Sequence, residues 1–329
     1  MRVAVVGAGA IGAYVGAALS RGGADVHLIA RGEHLAAMRQ RGVTVLSPRG
    51  DFHAHPHATA DPEEIGPVDI VFLGLKAYSY AGADELIRPL LRPGTGVVAA
   101  QNGIPWWYFH GLQGPYEGRR VEAVDPGGAV SAVIPPEAAI GCVVYSSTEI
   151  EAPGVIRHIE GTRFSIGEPD GTKSQRCTDF SQAMAAGGLK CPVETDLRSD
   201  IWLKLMGNVA FNPISVLTRA TMGEIAAHPG TRDLVLGMMH ETAEIAAALG
   251  SPPKISVERR FEGAARVGHH KTSMLMDFEA GKPLESDVLL GAPVELARLV
   301  GVPAPNLELV AALIDLLTRP AGRAHRGQP

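Results

Sequence analysis

The stretch from Arg2 to Gly23, "RVAVVGAGAIGAYVGAALSRGG", decides the fold. A short β-branched run ends in Gly7-Ala8-Gly9-Ala10-Ile11-Gly12, and a helix-forming segment closed by two glycines follows. G-x-G-x-x-G alone is a weak signal. Between a strand and a helix at the head of a βαβ unit, it reads as a dinucleotide-phosphate loop. Gly7 permits the tight turn, Gly9 lets a pyrophosphate approach the backbone, and Gly12 lets the helix pack on the strand. The helix N-terminus then faces the anion.

Working outward, strands and helices alternate over the first hundred residues. "ADVHLIA" reads as a second strand, "GEHLAAMRQRG" as a short helix and "VTVL" as a third strand. "VDIVFLGLK" and "GVVAAQNG" are continuous apolar runs, as expected of strands buried on both faces, with "YSYAGADELIRPLL" a helix between them. This alternation predicts an α/β fold with a parallel, Rossmann-type doubly wound sheet. Residues 111–139 are rich in Gly and Pro and read as a long loop, with the length to form a lid. "IGCVVYSSTEI", "GVIRHI" and "RFSIG" are strand-like pieces separated by turn signals, "CTDFSQAMAAGG" is a helix and "CPVET" a last short strand. From Asp196 the strand signals stop, and Asp196 or Ser199 is placed to cap the next helix. The expected organisation is a dinucleotide-binding domain at 1–195, an all-helical C-terminal domain at 196–318 and a flexible basic tail at 319–329.

The end of the second strand separates two cofactors. An NAD-binding site wants Asp or Glu there for the ribose 2′-hydroxyl. This chain has Ala30-Arg31-Gly32, and an arginine suits a 2′-phosphate, although Glu33 lies close by. NADP(H) is therefore expected. Lys76 and Asn102 fall at the ends of two further strands, where ligands of open parallel sheets bind. Lys76 is placed for a phosphate or ribose and Asn102 for the nicotinamide end; a surface residue after a strand is the alternative for each.

Bulk properties narrow the class. The chain has 329 residues, a length that fits two domains, with 46% hydrophobic and 20% charged residues, as in a globular protein. A net charge of -5 recommends no nucleic-acid partner. No run of about 18 apolar residues suggests a membrane span. Cys142, Cys177 and Cys191 have no ligand-like spacing, and three sparse cysteines fit reduced thiols in a cytoplasmic protein. His53, His55 and His57 alternate on a possible strand face, read as a solvated edge without a metal. His269-His270-Lys271 reads as a basic surface segment.

A second motif carries the chemistry. In "IWLKLMGNVAFNP", Lys204, Asn208 and Asn212 recur every four residues, about 400° per step, so on a helix they form one slowly drifting stripe. The stripe is either a solvated face or part of an active site. Downstream, Ser273 lies in "TSMLMD" and Glu285 opens an amphipathic helix.

Taken in order, "GAGAIG", "LK" after the fourth strand, "QNG" after the fifth, "KLMGNVAFNP" and "TSMLMD" twelve residues before "LES-D" resemble the ketopantoate reductase family over nearly the whole chain. The resemblance implies NADPH-dependent reduction of 2-dehydropantoate to pantoate, in pantothenate biosynthesis. It implies that Lys204 is the catalytic lysine, donating to the ketone oxygen as hydride arrives. Asn208, Asn212 and Ser273 then contact substrate, and Glu285 contacts substrate and helps position the lysine. Arg31 and Lys76 contact cofactor phosphates, and Asn102 lies between cofactor and substrate. Met222 and Leu290 stand where the family often has asparagine, and "WWYF" after Asn102 is unusually aromatic. These departures suggest apolar walls and a bulkier 2-keto acid. The expected active site lies between the two domains, with a homodimer left open. The alternatives are a related hydroxy-acid or imine reductase and a non-catalytic NADP-binding sensor, which would not need Lys204, both asparagines and Glu285 together.

Overall fold

The computed structural model describes residues 1–319 except Val267 and His269. The chain divides into two compact units, Met1–Leu197 and Arg198–Pro329. The first is α/β and the second helical among its described residues.

The first unit opens with β1 (Arg2–Val6), α1 (Ala10–Arg21), β2 (Asp25–Ile29) and α2 (Gly32–Arg41). β3 (Val43–Leu46), β4 (Phe52–Ala54), β5 (His57–Thr59), β6 (Ile70–Leu73), α3 (Asp84–Ile87) and β7 (Gly96–Ala99) follow. The unit ends with α4 (Ala129–Val133), β8 (Ala139–Ala152), β9 (Val155–Gly167) and α5 (Gln175–Ala186). Among the described residues the strands form one nine-stranded sheet, ordered β4-β3-β9-β8-β7-β6-β1-β2-β5. β1, β2, β5, β6 and β7 run parallel, and β8 joins β7 in parallel. β6 and β7 are buried at every position, as their unbroken apolar runs require.

β4 and β5 lie at opposite edges of this sheet, yet only His55 and Pro56 separate them. Three Cα steps span at most about 11 Å. Nine flat strands would hold the edges about 38 Å apart. The sheet therefore curls until its edges nearly meet. It wraps around α1, which packs against β2, β3, β4, β8 and β9, and against α5. This is why Gly12–Leu19 are buried without interruption.

The curling corrects several expectations. "VTVL" does not sit beside β2: it is β3 at the far side, pairing with β9 and antiparallel to β4, while the short β5 takes the place next to β2. The three alternating histidines are split between the two edges, with His53 beside His55 and His57 beside His27. The expected long helix after β6 reduces to α3 with 3-10 turns at Ala77–Ser79 and Arg88–Leu90, because Gly82 and Pro89 interrupt it. "GVIRHI" and "RFSIG" form one strand, β9, hairpinned to β8 through Pro153 and Gly154, with Gly154 at φ +78°. "CPVET" contributes only one bridge, Val193 with Ile166, next to a bridge between Lys190 and Arg163. The 111–139 segment carries α4, capped by the Asp125 carboxylate accepting from Val130 N at 2.7 Å. "WWYF" is core: Trp106, Trp107, Tyr108 and Phe109 are at most 4% exposed, and Trp106 donates to the Ile134 carbonyl at 3.0 Å. These rings form no open wall. Cys142, Cys177 and Cys191 are free and buried, and burial pushes the Cys177 thiol up to about 12.

In the second unit, α6 (Leu197–Thr218) begins one residue before the boundary, and α7 (Met222–Ala227), α8 (Pro229–Ala248) and α9 (Val257–Ala265) follow. Asp196 directly precedes α6, and Ser199 lies within its first turn. α10 (Ser273–Glu279), a π-helical turn at Asp287–Gly291, α11 (Ala292–Val300) and α12 (Pro305–Thr318) complete the described elements. α8 is central, packing against α7, α9, α11 and α12. Its buried Glu241 accepts from Asn306 N and Leu307 N, both at 2.9 Å, and so caps α12. No described helix is long and apolar enough to cross a membrane. Residues 320–329 of the expected tail, and His269, lie outside the described residues.

One arginine of α5 pairs with Glu168 at the end of β9 and also binds the start of β8. Arg176 donates to Glu168 at 2.7 and 2.5 Å and to the carbonyls of Glu137 and Ala139 at 3.2 Å. Burial pushes the Glu168 carboxyl up, but hydrogen bonds from Arg176 and Ser174 outweigh it and hold the group below its usual range. The stabilisation is complete above the unfolded value and is lost as pH falls through the lower folded value. Arg176→Ala should cost about 1–3 kcal/mol at pH 7 in urea unfolding. That difference should shrink toward pH 3; an equal difference at both pH values would contradict the assignment.

Candidate active site

In the first unit the sequence-selected groups emerge from one edge of the sheet. β7, β6, β1 and β2 are neighbours running in the same direction. Asn102, Lys76, Gly7 and Arg31 follow the carboxyl ends of those four strands in that order. The strand order reverses between β1 and β6, and ligands of such sheets bind at this switch point.

The loop there is built on close backbone approach. Gly7 is at φ +87°, and a Cβ on it would meet Leu75 Cδ2 at 2.6 Å. A Cβ on Gly12 would fall onto the Gly7 carbonyl. A Cβ on Gly74 would meet the same carbonyl and lie 3.0 Å from Gly12 Cα. Gly74 carries no sequence signal of its own, because a lone glycine after a buried strand has no motif around it. Ala8 N and Gly7 N donate to the Ile29 carbonyl at 3.0 and 3.2 Å, binding the loop to β2.

Gly9 differs from its neighbours. It precedes α1 with φ -74° and ψ -157°, and a Cβ on it would meet nothing within 4 Å. No side chain caps α1, and no acidic residue stands in its first turn. Open space over Gly9, beside the first-turn amides of Ala10, Ile11 and Gly12, fits a pyrophosphate. Arg31 precedes α2 and is exposed, and among the described residues its guanidinium makes no hydrogen bond or ion pair. Glu33 is equally exposed. Lys76 and Asn102 are half-buried.

In the second unit, Lys204, Asn208 and Asn212 do lie on one helix, α6. Lys204 and Asn208 are half-buried and Asn212 is 5% exposed. The flanking Ile201, Trp202, Leu205, Met206, Val209 and Phe211 are buried, so the polar stripe rides on a helix otherwise committed to packing. Pro213 lies inside the same helix, and lacking an N–H it cannot bond the Val209 carbonyl.

The structure adds two hydroxyls to this stripe. Ser215 stands eleven residues after Lys204, about 20° from it around the axis. Its Oγ donates to the Asn212 carbonyl at 2.7 Å and lies 2.6 Å from Thr272 Oγ1. Thr272 N-caps α10, accepting from Leu275 N at 3.2 Å. The chain Leu275 N, Thr272, Ser215, Asn212 carbonyl fastens the head of α10 to α6, and Ser273 is the exposed first residue of α10. Single Ser and Thr residues in apolar surroundings carry no sequence signal. Glu285 is 8% exposed and stands two residues before the π-helical turn. Such turns recur at functional sites. Leu290, within that turn, is 1% exposed and offers no open surface, and Met222 is the first residue of α7.

A phosphate loop at a sheet switch point, with a second, helical unit presenting a lysine and amides, defines a nicotinamide-dinucleotide-dependent oxidoreductase acting on CH–OH groups. Comparisons with known proteins give the family. Its sequence profile, Ketopantoate reductase PanE/ApbA, matches residues 3–171, and the profile Ketopantoate reductase PanE/ApbA C terminal matches 196–318. The chain belongs to the ketopantoate reductase family. It is 49% identical over 318 residues to a 2-dehydropantoate 2-reductase of Mesorhizobium japonicum, covering 96% of this chain and 98% of that one. A crystal structure of 2-dehydropantoate 2-reductase from Geobacter metallireducens is 32% identical with a TM-score of 0.84, covering 97% of this chain and all of that one. A ternary structure of D-mandelate dehydrogenase with NADH and anilino(oxo)acetate has a TM-score of 0.80 at 20% identity over 96% of this chain and 98% of that one, which shows the shared fold.

Two glycine substitutions separate binding from folding. Gly9→Ala should leave the thermal midpoint unchanged and weaken dinucleotide binding by about tenfold or more, read by quenching of protein fluorescence. Gly12→Ala should destabilise the protein by about 1–3 kcal/mol, because its Cβ has no room. Equal stability of the two variants would contradict the loop packing.

Proposed function

We propose that this protein reduces 2-dehydropantoate to pantoate with NADPH. The observation that carries the reading is the stripe of Lys204, Asn208 and Asn212 on α6, locked to the Ser273 helix through Ser215 and Thr272. The Mesorhizobium relative supports the substrate. Burial of "WWYF" and Leu290 removes the ground for the apolar walls that a bulkier 2-keto acid would use.

NADPH, when bound, supplies the hydride. The loop from Gly7 to Gly12 would hold its pyrophosphate, Arg31 the 2′-phosphate and Lys76 a further phosphate or ribose oxygen. Asn102 would lie between cofactor and substrate. Hydride addition builds negative charge on the ketone oxygen, and the Lys204 ammonium stabilises that charge and delivers a proton to it. Asn208, Asn212 and Ser273 give neutral donors and acceptors for the hydroxyl and carboxylate of the substrate. Glu285 holds the lysine in place and contacts the substrate. The buried free thiols fit a reducing cytoplasmic setting.

Lys204 acts on charge that exists mainly in the transition state. Lys204→Ala should therefore lower kcat by at least about a hundredfold while NADPH binding changes little. Lys204→Arg should not rescue turnover, since guanidinium is a poor proton donor. Near-normal turnover in Lys204→Ala would end the assignment. NADPH binding by the wild type without turnover of any 2-keto acid would favour a sensor.

Arg31 is assigned the cofactor choice. Arg31→Ala should weaken NADPH roughly tenfold and leave NADH nearly unchanged, measured as KM for each. A wild type that prefers NADH, or a variant with the preference intact, would refute it.

A further inference from the structure

His34 stands in the first turn of α2, three residues after Arg31, and is half-buried. Its Nδ1 accepts from Gly154 N at 3.0 Å. Gly154 belongs to the turn between β8 and β9. Its carbonyl accepts from Thr44 N at 2.9 Å, and a Cβ on it would lie 3.1 Å from Ala37 Cβ. The imidazole is therefore held on one side by a turn that is itself fastened to β3 and packed on α2.

The other side of the ring is different. An imidazole whose Nδ1 accepts from an N–H carries its own proton on Nε2. Burial pushes the His34 pKa below the usual histidine range, which keeps the ring in this neutral form. The Nε2 atom is buried and makes no hydrogen bond. The backbone group that acts on the ring is the Ala8 carbonyl, in the phosphate loop. Only the Nε2–H can donate to a carbonyl, so an unmade bond stands between His34 and the loop. A buried donor left in this state is costly, and closing the bond removes the cost.

The loop has a use for that bond. A trans peptide turns its N–H opposite to its C=O. Drawing the Ala8 carbonyl toward His34 turns the Gly9 N–H away from it. Gly9 opens α1, where the backbone amides have no partner within the helix, and the space over it is free.

We propose that His34 is a positioning residue of the phosphate loop: its Nε2–H closes onto the Ala8 carbonyl when a dinucleotide binds, and so fixes the Ala8–Gly9 peptide with its N–H turned to the pyrophosphate. This rests on the reading of the loop as a dinucleotide site. It assigns His34 to the half of the cofactor that NADPH and NADH share, whereas Arg31 is assigned to the half that separates them.

The two ring nitrogens can be tested apart. In His34→Asn the amide oxygen takes the place of Nδ1 and keeps the bond from Gly154, but nothing reaches Ala8. In His34→Gln the amide nitrogen takes the place of Nε2 and keeps the donor to the loop, but the bond from Gly154 is lost. Binding is read by quenching of protein fluorescence and stability by the thermal midpoint. His34→Asn should keep the midpoint close to wild type and weaken NADPH and NADH alike, by about fivefold or more. His34→Gln should lower the midpoint and recover most of the affinity that His34→Asn loses. Affinity that follows the midpoint in both variants would show a structural role and overturn the proposal. A loss in His34→Asn confined to NADPH would place the residue at the 2′-phosphate and overturn it too. If His34→Asn does not fold, NMR of wild type with isotope-labelled histidine carries the test. Adding NADP should move the Nε2 proton of a buried neutral histidine downfield, and histidine signals that do not change would refute the proposal. A wild type that binds neither dinucleotide would overturn the functional reading together with this inference.

Discussion

The carbonyl oxygen of Gly7 sits where a Cβ on either Gly12 or Gly74 would have to be. That single close approach joins the end of β1, the first turn of α1 and the end of β6 at the switch point of the sheet. It leaves no room for side chains at Gly12 and Gly74 and so forces glycine at both. It also brings the N-terminus of α1 up to the sheet edge with open space over Gly9. The wrapping of the sheet depends on the same helix: α1 can touch β2 on one side and β4 on the other only because it is slim and rich in Ala and Gly. One helix thus carries the core of the first unit on its flanks and the phosphate loop at its tip.

α6 has the corresponding role in the second unit. It carries a glycine, Gly207, and a proline, Pro213, inside one continuous helix, each next to a polar residue of the stripe. Around it the unit supplies support: Ser215 and Thr272 hold the head of α10, Phe261 on Phe211 aligns α9, and Asp200 pairs with Lys254 at 3.0 Å near the start of the helix. These contacts limit the freedom of the polar groups carried by the helix.

What the sequence discloses follows from how local each signal is. The β1-loop-α1 unit, the long buried strands β6 and β7 and the helical character after Asp196 are carried by contiguous pattern, and all are legible. The exchange of β3 and β5 is not, because two three-residue strands beside a Pro give no periodicity to read, and their pairing depends on chain closure far away. "WWYF" reads as an apolar wall in sequence because nothing local separates an aromatic lining from an aromatic core; only burial does. Lys204, Asn208 and Asn212 stand out as polar groups in an apolar helix. Ser215 and Thr272 do not, since each acts through a partner 57 residues away. Gly74 is visible as a glycine, but its reason lies on another element.

The account stands or falls on direct hydride transfer to the ketone carbon. The most direct measurement incubates the protein with 2-dehydropantoate and NADPH carrying deuterium at both C4 positions of the nicotinamide, followed by mass spectrometry and NMR of the product. The account predicts pantoate with one deuterium, bonded to the carbon that was the ketone. Pantoate without deuterium, or recovery of unchanged 2-dehydropantoate while NADPH remains bound, would contradict it.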